Sequence, residues 1–259
     1  MYGLLYHRAR QEYSCLRCLS SLDPGVRAAL ICAPHAGGSA DYFRRWVPDM
    51  PPEIALFAVQ YPGRGDRLGE ACQASMDGLL ADLMPALSAL GRTPCVLLGH
   101  SMGAAVMFEA CRRLEARGLY PKGLVVSSHP PLDEAVPANL HRLDDASLWS
   151  ETVRLGGTAG EILEHPELVA LLTPVLRSDY QLLDDYEPSP GAVQAPLSVC
   201  LGEEDPTVPA SRIRGWQRFC TRPIRVYEKP GGHFYLNENH HSLIEVSTEP
   251  LRASRGPHA

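Results

Sequence analysis

The stretch Pro94–Gly103 reads PCVLLGHSMG and predicts the fold of the whole chain. Its first half, Cys95–Leu98, is a short apolar run typical of a buried strand. A G-x-S-x-G pattern follows at once, centred on Ser101, and a helical pattern then runs from Met102 to Arg117. Strand, sharp turn and helix together are the context of a nucleophile elbow, which projects a serine hydroxyl beyond the end of a sheet. We therefore predict Ser101 as a nucleophile; the alternative is a glycine-rich turn with an incidental serine.

The composition of the chain argues against several classes of protein, among them nucleic-acid-binding and membrane-spanning proteins. The chain has 259 residues, 45% of them hydrophobic, and a net charge of −6. An acidic balance without basic runs gives no reason to expect nucleic acid or a membrane surface as a partner. No apolar run is long enough to span a bilayer, and the first residues, MYGLLYHRAR, lack the apolar core of a signal peptide. We predict a cytoplasmic, monomeric protein.

Strands and helices alternate on both sides of the elbow. Apolar runs predict strands at Ala28–Ala33, Ile54–Gln60, Gly123–Ser128 and Pro196–Leu201, with a last one at Ile224–Glu228. Amphipathic helical patterns separate several of them, the clearest from Met76 to Leu90. This rhythm predicts an α/β fold with a mostly parallel central sheet flanked by helices. No domain boundary is visible, so we expect a single domain, 1–259, whose polar residues 1–27 form a lead-in.

The rhythm changes between 132 and 186, where every pattern is helical. We predict helices at Ser147–Leu155 and Ala159–His165, then one that Pro166 opens toward Tyr186. Pro174 lies inside this last pattern and predicts a kink or break. A helical insertion between sheet strands favours a lid over a pocket, although a long crossover is the alternative.

A serine nucleophile needs a histidine base and an acid that orients it, and on this architecture they follow in the order Ser, acid, His. Asp205 comes after one strand and His233 after the next, so both fall at the sheet edge where Ser101 emerges. Glu203 and Glu204 compete for the acid position. Six other histidines compete with His233, at positions 35, 100, 129, 165, 240 and 241. We predict Ser101, His233 and Asp205 as a catalytic triad.

An oxyanion hole requires two backbone N–H groups close to the nucleophile. One is expected from Met102, the residue after the serine. The other is expected from Ala36, in the glycine-rich loop after the first strand. No cofactor and no metal are predicted: His240-His241 lacks further ligands nearby, and Cys15-x-x-Cys18 lacks a second pair. Arg64 and Arg67 lie in a turn-rich loop that follows a predicted strand. Their side chains either bind a phosphate or are solvated charges of the loop.

Four blocks give the chain a family resemblance: PHAGGSA at Pro34–Ala40, QYPGRGDR at Gln60–Arg67, GHSMGA at Gly99–Ala104 and GGHFYL at Gly231–Leu236. With LGEED at Leu201–Asp205, they resemble the type II thioesterases of polyketide and nonribosomal-peptide synthesis. The second block discriminates best, because general esterases share the elbow but not YPGR.

The resemblance implies an α/β-hydrolase fold with a helical lid. It also implies hydrolysis of acyl groups from the phosphopantetheine arm of acyl or peptidyl carrier proteins, in an editing role. Two alternatives remain, a stand-alone carboxylesterase or lipase on the same fold and a non-catalytic binding protein on a hydrolase scaffold.

Overall fold

A computed structural model describes residues 14–21, 23–156 and 159–252 of the chain. The strands of these residues form one seven-stranded sheet in the order β1-β3-β2-β4-β5-β6-β7. Only β1 runs antiparallel, against β3; the other neighbours are parallel. The strands are β1 Leu16–Cys18, β2 Ala28–Ala33, β3 Ile54–Val59, β4 Cys95–His100, β5 Gly123–Ser127, β6 Leu197–Gly202 and β7 Arg225–Lys229.

The central strands are buried on both faces, as parallel strands between two helical layers must be. Every residue of β2 and β3 is buried, and β4 is buried from Val96 onward. Their continuous apolar runs therefore predicted them to within one or two residues. The predicted class, an α/β fold with a mostly parallel sheet and flanking helices, is confirmed.

Helices cover both faces of the sheet. On one face lie α1, Met76–Ala89, and α2, Met102–Glu115, whose apolar sides join the larger core. On the other face, a 3-10 helix at Ala40–Asp49 and the C-terminal helix of the described residues form the second core. Large side chains such as Phe43 and Trp46 fill it and are fully buried. The two layers hold the sheet rigidly, so the loops at its carboxyl edge have a fixed base.

Among the described residues of the segment between β5 and β6, all the regular elements are helices. They are α3 Asp145–Arg154, α4 Ala159–Ile162 and α5 Pro166–Asp184, preceded by 3-10 turns at Leu132–Glu134 and Leu140–Arg142. We call segment 132–186 the cap. A small core of its own, centred on Leu148, Trp149 and Leu176, holds the cap helices together.

Of the kink or break predicted at Pro174, the break is wrong, because α5 passes through that residue as one helix. Buried residues on both sides of the proline, among them Thr173, Val175 and Leu176, pack inward. Their burial outweighs the single backbone hydrogen bond that proline removes.

Three further differences concern short or polar elements. Leu16–Cys18 of the lead-in forms β1 on the sheet edge, while residues 1–13 of that lead-in lie outside the described residues. The helical pattern between the last two predicted strands forms a 3-10 helix, at Ile213–Phe219, rather than an α-helix. The C-terminal helix α6, Leu236–Arg252, was not predicted, since its buried apolar residues are few among polar ones. No helix of the described residues has both the length and the apolar character needed to cross a bilayer.

Candidate active site

The elbow holds Ser101 in a backbone conformation that non-glycine residues rarely adopt, with φ 54° and ψ −122°. The two glycines of the motif make this turn possible. A Cβ placed on Gly99 would lie 1.9 Å from the carbonyl oxygen of Gly103, and one on Gly103 would lie 2.1 Å from that of Ala33. Any side chain at either position would therefore push helix α2 away from the sheet.

Ser101, His233 and Asp205 form a chain of two hydrogen bonds. His233 Nε2 lies 3.0 Å from Ser101 Oγ, and His233 Nδ1 lies 3.0 Å from Asp205 Oδ2. The histidine and the acid are buried, whereas the serine is partly open to the cavity described below. Glu203 and Glu204, the competing acids, are exposed. The structure thus brings together the three residues selected from the sequence.

Thr207 belongs to the same cluster and was missed by the sequence analysis. Its hydroxyl donates to Asp205 Oδ1 at 2.7 Å and lies 3.1 Å from His233 Nδ1, and its N–H also donates to Asp205 Oδ1, at 2.9 Å. Burial opposes the charge of Asp205, but hydrogen bonds from His233 and Thr207 hold the pKa of its carboxyl below the usual value. A hydroxyl residue two places after an acid was the available signal.

Three other histidines surround His233 and stay neutral. Burial lowers the pKa of His35 to about 3 and that of His129 to about 4, and it holds the pKa of His100 well below its usual value. The His100 ring lies 5.3 Å from that of His233 and is tied by Nδ1 to Ser127 Oγ, 3.0 Å away.

Of the two residues predicted for an oxyanion hole, Met102 follows Ser101 in the chain and Ala36 lines the same cavity as Ser101. Met102 is the first residue of α2, so its N–H has no acceptor within the helix. Ala36 lies in the loop after β2 and lines the same cavity as Ser101. Among the backbone hydrogen bonds of the described loops, none uses the Ala36 N–H, whereas the neighbouring Gly37 N–H is occupied.

A cavity of about 810 Å³ opens above Ser101, between the sheet edge and the cap. Its floor is polar and includes His35, His129 and His233. Its walls are largely apolar and come from the cap; they include Leu143, Trp149, Leu172, Leu176, Tyr180 and Leu183. Such a chamber accepts a flexible apolar chain whose polar end lies at the serine.

Neither interpretation of the arginine loop is correct. Arg64 is buried and forms a two-pronged ion pair with Asp179 of α5. Arg67 is buried and bonds Glu70 and Asp82. Carboxylates therefore neutralise both cations, which are neither solvated nor available to a phosphate.

One group of possible metal ligands comes together in the described residues, formed by Asp49, His240 and His241. His240 Nε2 lies 3.0 Å from one carboxylate oxygen, and His241 Nε2 lies 3.1 Å from the other. Asp49 is therefore a third potential ligand beside His240-His241, which the sequence analysis did not anticipate, and its contacts with both rings hold the cluster together.

The eight cysteines all lie in the described residues, and none of them forms a disulfide. Burial raises the pKa of Cys15, Cys95 and Cys200 to about 12, and it raises that of Cys32 and Cys111 well above the usual value. Cys15 is buried and Cys18 partly buried, and no disulfide joins them.

Comparison with known proteins gives a consistent result. The sequence profile described as "Thioesterase domain" matches residues 28–249. Thioesterase PikA5 of Streptomyces venezuelae is 37% identical over 238 residues, which cover 90% of this chain and 84% of that protein. The gramicidin S biosynthesis protein GrsT of Aneurinibacillus migulanus is 29% identical and matches 92% of this chain and 94% of its own length.

Solved structures agree with the sequence matches. The type II thioesterase BorB from the borrelidin biosynthetic cluster has a TM-score of 0.84 at 35% identity, covering 92% of this chain and 98% of that one. YbtT, a type II thioesterase from the yersiniabactin pathway, has a TM-score of 0.83 at 30% identity, covering 93% and 99%. The likeness therefore extends over nearly the whole chain, cap included.

Proposed function

The chain belongs to the thioesterase domain family, and from that premise we propose that it is a serine hydrolase that removes acyl groups from the phosphopantetheine arm of carrier proteins. One observation carries the proposal: two 3.0 Å contacts link Ser101, His233 and Asp205 on the floor of a capped, largely apolar cavity. The cavity suits an acyl chain, and its floor suits attack on the carbonyl at the end of that chain.

In the first half of the reaction, Ser101 Oγ attacks the thioester carbonyl while His233 Nε2 takes the hydroxyl proton. Asp205 accepts from His233 Nδ1, which fixes the ring and stabilises its positive charge. The Ala36 and Met102 N–H groups donate to the oxyanion of the tetrahedral intermediate. When the intermediate collapses, the carbon–sulfur bond breaks, and the proton on His233 passes to the departing sulfur, so that the arm leaves as a free thiol.

The second half repeats the proton transfers with water. His233 takes a proton from a water molecule, which attacks the acyl-serine ester. Collapse of the second intermediate breaks the ester, returns the proton to Ser101 Oγ and releases the free acid. No cofactor takes part in this scheme.

We propose that the cap acts as a lid over this reaction. Apolar side chains of α3 and α5 form the cavity walls, so the cap must be in place when the acyl chain is enclosed. The role that we assign is editing, the removal of stalled or wrong acyl groups from carrier proteins. A monomer in the cytoplasm remains the prediction made from the sequence.

The test is a panel of acyl groups loaded onto one carrier protein, with release of free acid as the readout. We expect wild-type turnover, and a loss of about 10³-fold or more in Ser101→Ala and His233→Ala, because each removes a group that bonds or accepts a proton during catalysis. His165→Ala is the matched control, since His165 is exposed and does not line the cavity.

Two other outcomes of these experiments would each indicate a different function. Fast cleavage of simple esters without turnover of any loaded carrier would indicate a stand-alone esterase. Failure of a fluorophosphonate to label Ser101 in folded protein would indicate a binding protein without catalysis.

A further inference from the structure

The loop that carries Ala36 is held by the QYPGR block, which no catalytic step uses. Tyr61 Oη donates to the Pro34 carbonyl at 3.2 Å, and Gln60 Oε1 accepts from the Ala40 N–H at 3.2 Å. Both side chains are buried. The loop from Pro34 to Ala40 is therefore fixed at each end by residues of this one block.

The middle of the loop is fixed from the cap. Asp179 of α5 accepts the Gly37 N–H on Oδ2 at 2.7 Å. The same carboxylate receives Arg64 Nη1 on Oδ2 at 2.5 Å and Nη2 on Oδ1 at 2.8 Å. The two side chains are 3% and 1% exposed for Arg64 and Asp179, respectively. A charged group thus buried persists only when its partners are well placed.

These contacts act together with a bond inside the loop, in which the Gly38 N–H donates to the His35 carbonyl at 3.0 Å, to determine how the Ala36 N–H points. The Gly37 N–H and the Ala36 carbonyl belong to one planar peptide, so Asp179 sets the orientation of that plane. Tyr61 sets the peptide between Pro34 and His35 in the same way. The peptide that carries the Ala36 N–H lies between these two anchored planes, and its remaining freedom is small.

Helix α5 also forms part of the cavity wall, through Leu172, Leu176 and Tyr180. Leu176 lies directly over the loop: a Cβ placed on Gly37 would be 2.6 Å from Leu176 Cδ2. The helix that contacts the contents of the cavity is therefore the helix that holds the Ala36–Gly37 peptide.

We propose that Asp179, held by Arg64, is a positioning residue that aligns the Ala36 N–H for the oxyanion and couples the placement of cap helix α5 to that alignment. This inference rests on the proposed function, since it assigns a task to the same site. A buried ion pair is weak evidence of added stability, because apolar residues of similar volume often replace one without loss. Alignment of the loop gives the pair a role that stability alone does not.

The double variant Arg64→Met/Asp179→Leu separates a role of the ion pair in stability from a role in aligning the loop. It replaces the pair by apolar side chains but also removes the acceptor of the Gly37 N–H, so we expect a folded protein whose unfolding midpoint lies somewhat below that of the wild type. The oxyanion donor is then misaligned rather than removed, and we expect kcat to fall about 10- to 100-fold. KM for the thioester should change less than about threefold, because the walls of the cavity are retained.

Arg67→Met is the matched control. Arg67 is a buried arginine of the same loop that bonds Glu70, Asp82 and the Gln60 carbonyl, none of which lines the cavity, and it makes no contact with Asp179. We expect this variant to lose stability while the kcat of its folded fraction stays within about threefold of the wild type.

A folded double variant with wild-type kcat overturns the inference. If the double variant does not fold, Asp179→Asn decides in its place, with the same expected fall in kcat at nearly constant KM. The rate of Ser101 labelling by a fluorophosphonate and the cleavage of p-nitrophenyl acetate are read in parallel. If the proposal about carrier proteins is wrong, the wild-type protein will not release acid from loaded carriers. The labelling rate and the cleavage of p-nitrophenyl acetate would then still test the role of Asp179.

Discussion

Thr207 shows how a side chain outside the recognised blocks completes the site. Asp205 could be selected over its neighbours from order and spacing, and the geometry agrees, since Asp205 alone of the three adjacent acids bonds His233. The threonine that holds it could not be selected, because a hydroxyl near an acid is common in any turn. Order along the chain predicts the residues that react, whereas the groups that support them depend on the local fold.

At this scale we predict that Thr207→Val lowers kcat about three- to tenfold. The change removes the hydroxyl that donates to Asp205 Oδ1 but leaves the backbone N–H bond, so part of the support of a charged group is lost. Steady-state kinetics on a loaded carrier or a simple ester measures the effect. Thr207→Ser keeps the hydroxyl and should stay near wild type; equal rates for Val and Ser would show that the hydroxyl is not used.

Helix α5 takes part in three contacts of the site, since it lines the cavity, packs in the cap and bonds the loop that carries Ala36. Its C-terminal half is held by two carboxylates: Asp179 bonds the loop and Arg64, and Asp184 bonds the Ala138 N–H and His141. Its N-terminal half carries exposed leucines, Leu168 and Leu171. Its extent was predictable from the apolar spacing, but its passage through Pro174 was not, because that depends on packing from outside the helix.

For this helix we predict a gradient in hydrogen exchange. Amides in the half that follows Pro174 should exchange more slowly than those in 167–172, since local opening is easier where fewer buried contacts must break. Mass spectrometry of exchange on the native protein measures it, with α2 as a protected reference. A fluorophosphonate adduct on Ser101 should slow exchange in the N-terminal half. Uniform protection along α5 would favour a rigid crossover over a lid.

For the molecule as a whole, the parallel sheet was predictable because each strand of its centre is apolar on both faces. The edge strand β1 and the final helix α6 were not, since three residues give no period and α6 buries few apolar side chains. Buried histidines are a second property of the whole fold that no spacing reveals. Their neutral state depends on the desolvation that the packed site imposes.

From these buried histidines we predict that the free energy of unfolding falls in acid. The pKa of His129 is about 4 in the folded chain against an ordinary 6.5, so the unfolded chain binds the proton first as the pH falls. The contribution of His129 is complete above about pH 6.5 and declines toward pH 4, amounting to about 2 kcal/mol lost by pH 5.

Urea unfolding at pH 7.5 and pH 5 tests this prediction. His129→Gln cannot titrate and should lose part of the pH dependence, whereas the exposed His165→Gln should keep all of it. If the two variants and the wild type decline in parallel, His129 is not the source.

The burial of the cysteines has a chemical consequence for a protein that handles thioesters. A thiol attacks a thioester as the thiolate, and a thiol whose pKa is near 12 forms almost none at neutral pH. Cys32 and Cys111 are equally suppressed. We therefore do not expect these five thiols to divert acyl groups onto the protein itself.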